Sequence, residues 1–142
     1  MNTEDYEGGF EKSDIEKIFS SIESNYCNWA SHFASLVVDA ADPHSLDKFK
    51  KCLMSMKPDV ALPLAKTVFY CDERETLERV AIPCTIIQTN SDIVVPNSVG
   101  FYMKKKIKGP STVEIISSTN GHFPMLTAHL ELLDVLGVVL GF

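Results

Sequence analysis

The chain has 142 residues, the length of one domain, with 45% hydrophobic and 23% charged side chains. Its net charge of −6 argues against a nucleic-acid binder. No apolar run approaches the roughly 18 residues of a membrane span, so neither partner class is expected. The four cysteines, Cys27, Cys52, Cys71 and Cys84, form no C-x-x-C pair. A zinc site or redox couple is therefore not expected, and isolated thiols fit a reducing compartment. The acidic, polar start from Met1 to Gly9 has no apolar core of a signal peptide.

Residues 12–80 read as helices only. Ser13 and Glu16 have capping-box spacing, and Ile15, Ile18, Phe19 and Ile22 follow as one apolar stripe. A second helix is predicted from Asn25, with Tyr26, Trp29, Ala30, Phe33 and Leu36 on one face. The third has Asp42 as N-cap and Pro43 at its first position, where a missing N–H costs nothing. Its apolar positions are Leu46, Phe49, Leu53 and Met56. The fourth begins at Lys57-Pro58 and carries Val60, Ala61, Leu64, Val68 and Phe69. Pro63 inside it predicts a kink or a delayed start. A short helix over 72–79 is predicted, with Asp72 and Glu75 as a capping pair.

Residues 81–142 change texture to strand, helix, strand, helix. Residues 83–89 read as a buried strand. Residues 96–108 read as an amphipathic helix with Val99, Tyr102, Met103 and Ile107 inward, its lysine-rich end complementing the helix dipole. Residues 111–117 are the second strand. Residues 125–140 are the last helix, with Leu126, Leu130, Leu133 and Leu136 or Val139 inward. The alternation predicts an α/β architecture with parallel strands and a right-handed crossover.

Two residues carry candidate chemistry. Asp92 follows the first strand and His122 follows the second, both at the sheet edge where open α/β proteins place active sites. A carboxylate that accepts the Nδ1–H of a histidine fixes its tautomer and stabilises the imidazolium, which makes the ring a useful general base. The order acid-then-histidine is that of an α/β-hydrolase, yet no G-x-S-x-G nucleophile elbow occurs among these residues. On pattern alone, a turn Asp and a turn Gly-His pair are the more ordinary readings. Ser91 lies on the acid loop rather than an elbow, and Cys84 opens a strand, so neither is read as a nucleophile. His32, His44 and His129 read as surface residues or, for His129, a packing edge. A second constellation is aromatic. Phe10, Trp29, Phe33 and Phe69 fall on predicted inward faces and read either as core or as the wall of an apolar pocket.

Several stretches together carry a resemblance. They are Tyr6-Glu7-Gly8-Gly9-Phe10, Ser24-Asn25-Tyr26 with Trp29 and Phe33, Met56-Lys57-Pro58-Asp59, Val68-Phe69, Pro83-Cys84, Asp92 with Val95-Pro96, and Gly121-His122-Phe123-Pro124. Over almost the whole chain the sequence resembles the plant strigolactone and karrikin receptor family of α/β-hydrolases, most closely its DWARF-fourteen-like two branch. The resemblance implies a partial α/β-hydrolase fold, a four-helix lid followed by the last two parallel strands and helices of the core. Residues 1–11 would be a connector from the rest of the core, 12–80 the lid, and 81–142 the C-terminal part of the core.

It further implies that Asp92 and His122 are triad acid and base. Phe10, Trp29, Phe33 and Phe69 become pocket wall, with Val94 near the pocket floor. The family binds butenolide ligands, hydrolyses them slowly with a Ser-His-Asp triad, needs no cofactor, and recruits an F-box protein and transcriptional repressors in the cytoplasm and nucleus. The first six strands, the oxyanion-hole loop and the serine elbow fall outside the resemblance. The chain alone is therefore expected to be inactive, and its two strands to leave apolar surface facing water. The competing expectation is a non-enzymatic, lid-based interaction module for an F-box partner.

Overall fold

The computed structural model describes all of Met1–Phe142. Five helices come first: α1 (Lys12–Ser24), α2 (Tyr26–Val37), α3 (Pro43–Ser55), α4 (Pro58–Tyr70) and the one-turn α5 (Arg74–Leu77). Then follow β1 (Cys84–Thr89), α6 (Asn97–Lys106), β2 (Ser111–Ile116), α7 (Pro124–Thr127) and α8 (His129–Leu140). β1 and β2 pair in parallel, in register from Cys84 opposite Ser111 to Thr89 opposite Ile116. α6 packs against both strands and α8 against β2. No helix is long and apolar enough to cross a membrane.

The helical part is built on α1 against α4 and α2 against α3, with α1 touching α2. Ile15 and Ile22 are fully buried and Phe19 nearly so, as the i, i+3, i+4, i+7 stripe requires. Ile22, Tyr26 and Ala61 form the central cluster, flanked by Ile18, Trp29, Met56, Leu62 and Ala65. The Tyr26 hydroxyl donates to the Leu53 carbonyl at 2.7 Å, which ties α2 to α3 while satisfying a buried polar group.

The predicted Asp42 cap forms, accepting from the Ser45 amide with Pro43 opening α3, and Asn25, where the second helix is expected to start, caps α2 by accepting from the Asn28 amide. Two other predicted caps do not form. α1 begins at Lys12, ahead of Ser13, and the Glu11 carbonyl takes the amides of Asp14 and Ile15. Ser13 is thus already helical and its hydroxyl has no cap to make. Asp72 is drawn away by Arg74, whose Nε and Nη2 donate to it at 2.8 and 2.6 Å, so α5 shrinks to four residues with Glu73 at its N-cap. Pro63 does not delay α4, which starts at Pro58. The carbonyl it leaves without an i+4 donor belongs to Asp59, an exposed residue that water reaches.

The largest corrections concern what the apolar faces meet. The predicted last helix is broken at Ala128 (φ −143°, ψ 41°) into α7 and α8. Leu130 and Leu133, expected inward, are 68% and 58% exposed, and α8 buries no residue. In α4, Val60, Leu64 and Val68 are exposed while Ala61 is buried. Only 18 of 142 residues are buried, and a two-stranded sheet has too little area to cover two helix layers.

Candidate active site

The sheet brings the loops after β1 and β2 side by side. His122 Nδ1 lies 2.7 Å from Asp92 Oδ2, and the Asp92 side chain is 9% exposed against 36% for His122. The other carboxylate oxygen, Oδ1, accepts from the Val94 amide at 2.8 Å. Burial works against the ionised form of Asp92, but the bond from His122 and those from the Val94 and Val95 amides outweigh it. The carboxyl is held below its ordinary range and is ionised at neutral pH. An ionised acceptor fixes the proton on Nδ1, so Nε2 is the nitrogen left to accept a proton.

Both loops are braced. Thr89, 2% exposed at the end of β1, donates from Oγ1 to the Gly121 carbonyl at 2.6 Å. The Gly121 amide donates to the Ser91 carbonyl at 2.7 Å, and the His122 amide to the Val37 carbonyl at 2.7 Å. Gln88 Nε2 reaches the carbonyls of Val95 and Pro96 at 3.4 Å, under the acid loop. Gly9 backs the same loop from outside, since a Cβ there would lie 2.9 Å from both the Val94 carbonyl oxygen and Pro96 Cδ. Thr89 and Gln88 escape sequence reasoning because they look like ordinary strand residues; only their place at the end of β1 marks them.

Gly121 is the residue the turn cannot replace. Its φ is +88°, and a Cβ would sit 2.5 Å from the Val37 carbonyl oxygen. Gly121→Ala is expected to destabilise the chain by about 2–4 kcal/mol, combining backbone strain with displacement of Val37. Urea denaturation followed by circular dichroism measures it, and an unchanged midpoint would contradict this account of the turn.

The aromatic residues divide. Phe10, Trp29 and Phe33 line one cavity of about 380 Å³ together with Ile18, Leu36 and Ile93, the neighbour of Asp92. Trp29 and Phe33 stack at 5.1 Å. Phe69 packs edge-on against Phe10 at 5.4 Å but faces a separate cavity of about 270 Å³ with Tyr6, Leu77 and Tyr102. Val94 lines neither cavity. Phe123 stands edge-on to the His122 ring at 5.0 Å and packs on Phe49 of α3, an aromatic contact the sequence reading did not include. No group of three or more His, Cys, Asp or Glu side chains is placed to hold a metal, and all four cysteines are free thiols.

No protein-family model matches the chain. Among curated proteins, strigolactone esterase D14 of Arabidopsis thaliana is 43% identical over 136 residues, 96% of this chain and 51% of the relative. Strigolactone esterase RMS3 of Pisum sativum is 44% identical over 137 residues, with the same shares. Karrikin insensitive 2 receptor IA of Petunia hybrida is 42% identical over 129 residues, 90% of this chain and 47% of the relative. Among solved structures, a hydrolase from Oleispira antarctica superposes with TM-score 0.83 at 32% identity, over 96% of this chain and 51% of that one. An esterase from Exiguobacterium antarcticum reaches 0.87 at 15% identity, a likeness of fold, over 100% of this chain and 53% of that one. The chain spans about half the length of the relatives it matches. Over that span, which corresponds to their C-terminal half, the chain belongs to the α/β-hydrolase family of strigolactone esterases and karrikin receptors.

Proposed function

We propose that the chain supplies the acid and base of a serine-esterase triad, together with the aromatic wall of its ligand site. Asp92 orients His122 and holds its Nδ1 proton. Nε2 then takes a proton from a nucleophile carried by sequence outside these 142 residues and returns it to the leaving group. The observation that carries this reading is the 2.7 Å Nδ1···Oδ2 contact between two residues at the C-terminal ends of adjacent parallel strands. The likeness to strigolactone esterases and karrikin receptors supports a small apolar ligand of the butenolide type, bound against Phe10, Trp29 and Phe33. Phe69 packs behind Phe10 as part of that wall, and Val94 stays with the acid loop.

Without a nucleophile elbow and oxyanion donors the largest contributions to acyl transfer are missing, so the 142-residue chain is inactive alone. The test compares the chain alone with a hybrid that joins it to the N-terminal half of Arabidopsis strigolactone esterase D14. The hybrid is expected to hydrolyse a chromogenic butenolide ester and the isolated chain to match buffer. Turnover by the isolated chain, or none by a folded hybrid, would contradict the reading.

A second reading has its own observation. The exposed Val60, Leu64 and Val68 of α4 give the helical part an apolar face suited to a partner. A non-enzymatic module that engages an F-box protein in the cytoplasm or nucleus would show itself by binding in a pull-down lost in Leu64→Glu, with no esterase activity in any form.

A further inference from the structure

The base loop is held from the helical part of the chain as well as from the sheet. α2 ends at Val37, and the next two residues turn back along residues 119–122. The His122 amide donates to the Val37 carbonyl, and Val38 pairs with Gly121 in an antiparallel bridge. Asp39 closes this short ladder. Its Oδ2 accepts from the Asn120 amide at 2.8 Å and from the Thr119 hydroxyl at 3.1 Å, and its Oδ1 accepts from the Ala41 amide at 2.9 Å.

Thr119 is 2% exposed, and its hydroxyl also lies 2.7 Å from Thr127 Oγ1. The Thr119 hydroxyl has one proton, for Asp39 Oδ2 at 3.1 Å or Thr127 Oγ1 at 2.7 Å, and the Thr127 hydroxyl donates to the Phe123 carbonyl at 3.2 Å, so Asp39 closes one end of a small hydroxyl network. The amides of Asn120 and Ala41 hold the Asp39 carboxyl below its ordinary range, so the acceptor is charged at neutral pH.

We infer that Asp39 is a positioning residue for the His122 base, a role that rests on the reading of Asp92 and His122 as acid and base. Only Asn120 and Gly121 separate the amide that Asp39 holds from the amide of His122. Four anchors fix this short segment: Asp39 at the Asn120 amide, Ser91 at the Gly121 amide, Thr89 at the Gly121 carbonyl, and Val37 at the His122 amide. Gly121 sits at the centre without a Cβ to restrict its backbone, so the anchors rather than its intrinsic preference hold the conformation that aims the imidazole. Without Asp39 the Asn120 amide turns to water and Thr119 keeps Thr127 and the Asn120 carbonyl as partners. The imidazole then loses a fixed approach to Asp92, and a hydrogen bond of this kind weakens steeply with angle.

The experiment follows the Nδ1 proton of His122 in the full 142-residue chain, labelled with ¹⁵N in its histidine rings. Wild type is expected to show a low-field Nδ1 proton protected from water. In Asp39→Ala its exchange with water is expected to rise about tenfold or more, the scale of one lost charge-assisted hydrogen bond, with an upfield shift. Asp39→Asn, which keeps one acceptor oxygen, falls between and decides the matter if Asp39→Ala does not fold.

Thr119→Val should reproduce part of the effect, and adding it to Asp39→Ala should cost less than the sum, because the two share one bond. Tyr26→Phe removes a hydrogen bond of the same helical part, from the helix that leads into Asp39, and should leave the proton unchanged. An unmoved proton in Asp39→Asn and Asp39→Ala, or an equal change in Tyr26→Phe, would overturn the positioning role while leaving the Asp92–His122 pair standing. A wild-type chain with no low-field Nδ1 proton would overturn the pair and the role together.

Discussion

Asp92→Asn in the D14 hybrid is expected to lower kcat by about 10⁴-fold, with KM within a few-fold of the parent, the size of loss seen when a triad acid is neutralised without disturbing its geometry. The carboxamide fits the same space, and its oxygen can still accept from the Val94 amide. What it loses is the charge. An Asn side chain facing Nδ1 can present its NH₂, which stabilises the wrong tautomer and puts the proton on Nε2, where it blocks base action. His122→Ala removes the base outright and should cost at least as much.

The same chemistry gives a sign for pH. Hydrogen bonds hold the folded Asp92 pKa below its unfolded value of about 3.9. The pair therefore contributes stability that is complete above that value and is lost as pH falls through the folded one. Steady-state kinetics of the hybrid decides the mutational claim. A loss of less than about tenfold in Asp92→Asn would leave Asp92 as a turn residue without a catalytic part.

The second large effect concerns surface. The isolated chain is expected to bind an environment-sensitive hydrophobic dye strongly and to associate as its concentration rises. Leu130, Leu133, Val138 and Leu140 of α8 are between 58% and 85% exposed, and Phe142 beyond it is 87% exposed. Each such side chain gains about 1.5–3 kcal/mol on full burial, so four of them on one short helix give a substantial drive toward any apolar surface. β1 and β2 each also present one unpaired edge, a template for pairing with another strand. Leu133→Glu combined with Val138→Glu should cut dye fluorescence several-fold and shift sedimentation toward monomer. Unchanged fluorescence in that variant would place the apolar surface elsewhere, and a wild-type chain that binds no dye would contradict the exposed faces altogether.

Much of the architecture was legible because it rests on local chemistry. Asn25, Asp42 and Pro43 announce helix starts through groups they themselves supply, and the two strand spans were read to within a residue of Cys84–Thr89 and Ser111–Ile116. Ser13 and Asp72 failed for one reason. A cap depends on what else competes for the side chain or the amide, and Glu11 and Arg74 win those competitions. α8 failed for another. Periodicity names an apolar face but not what lies opposite, and nothing in these residues covers Leu130 or Leu133.

At the site, Asp92 and His122 stood out because an acid and then a histidine, each following a predicted strand, match the order of an α/β-hydrolase. Asp39 and Thr119 did not, since their partners lie about 80 residues away and their spacing carries no pattern. Phe10, Trp29 and Phe33 do share a cavity, whereas Phe69 sits behind Phe10 and faces another, a distinction that helical spacing alone does not make.

The most direct test of the central claim uses a serine-reactive fluorophosphonate probe on the isolated chain and on the hybrid, with the labelled site located by peptide mass spectrometry. The chain of 142 residues should take no label. The hybrid should be labelled on one serine in its added half, and His122→Ala should abolish that labelling while the protein stays folded. Label on Ser91, Cys84 or any other residue of this chain, or labelling of the hybrid that does not depend on His122, would contradict the assignment of Asp92 and His122 as acid and base for a nucleophile held elsewhere.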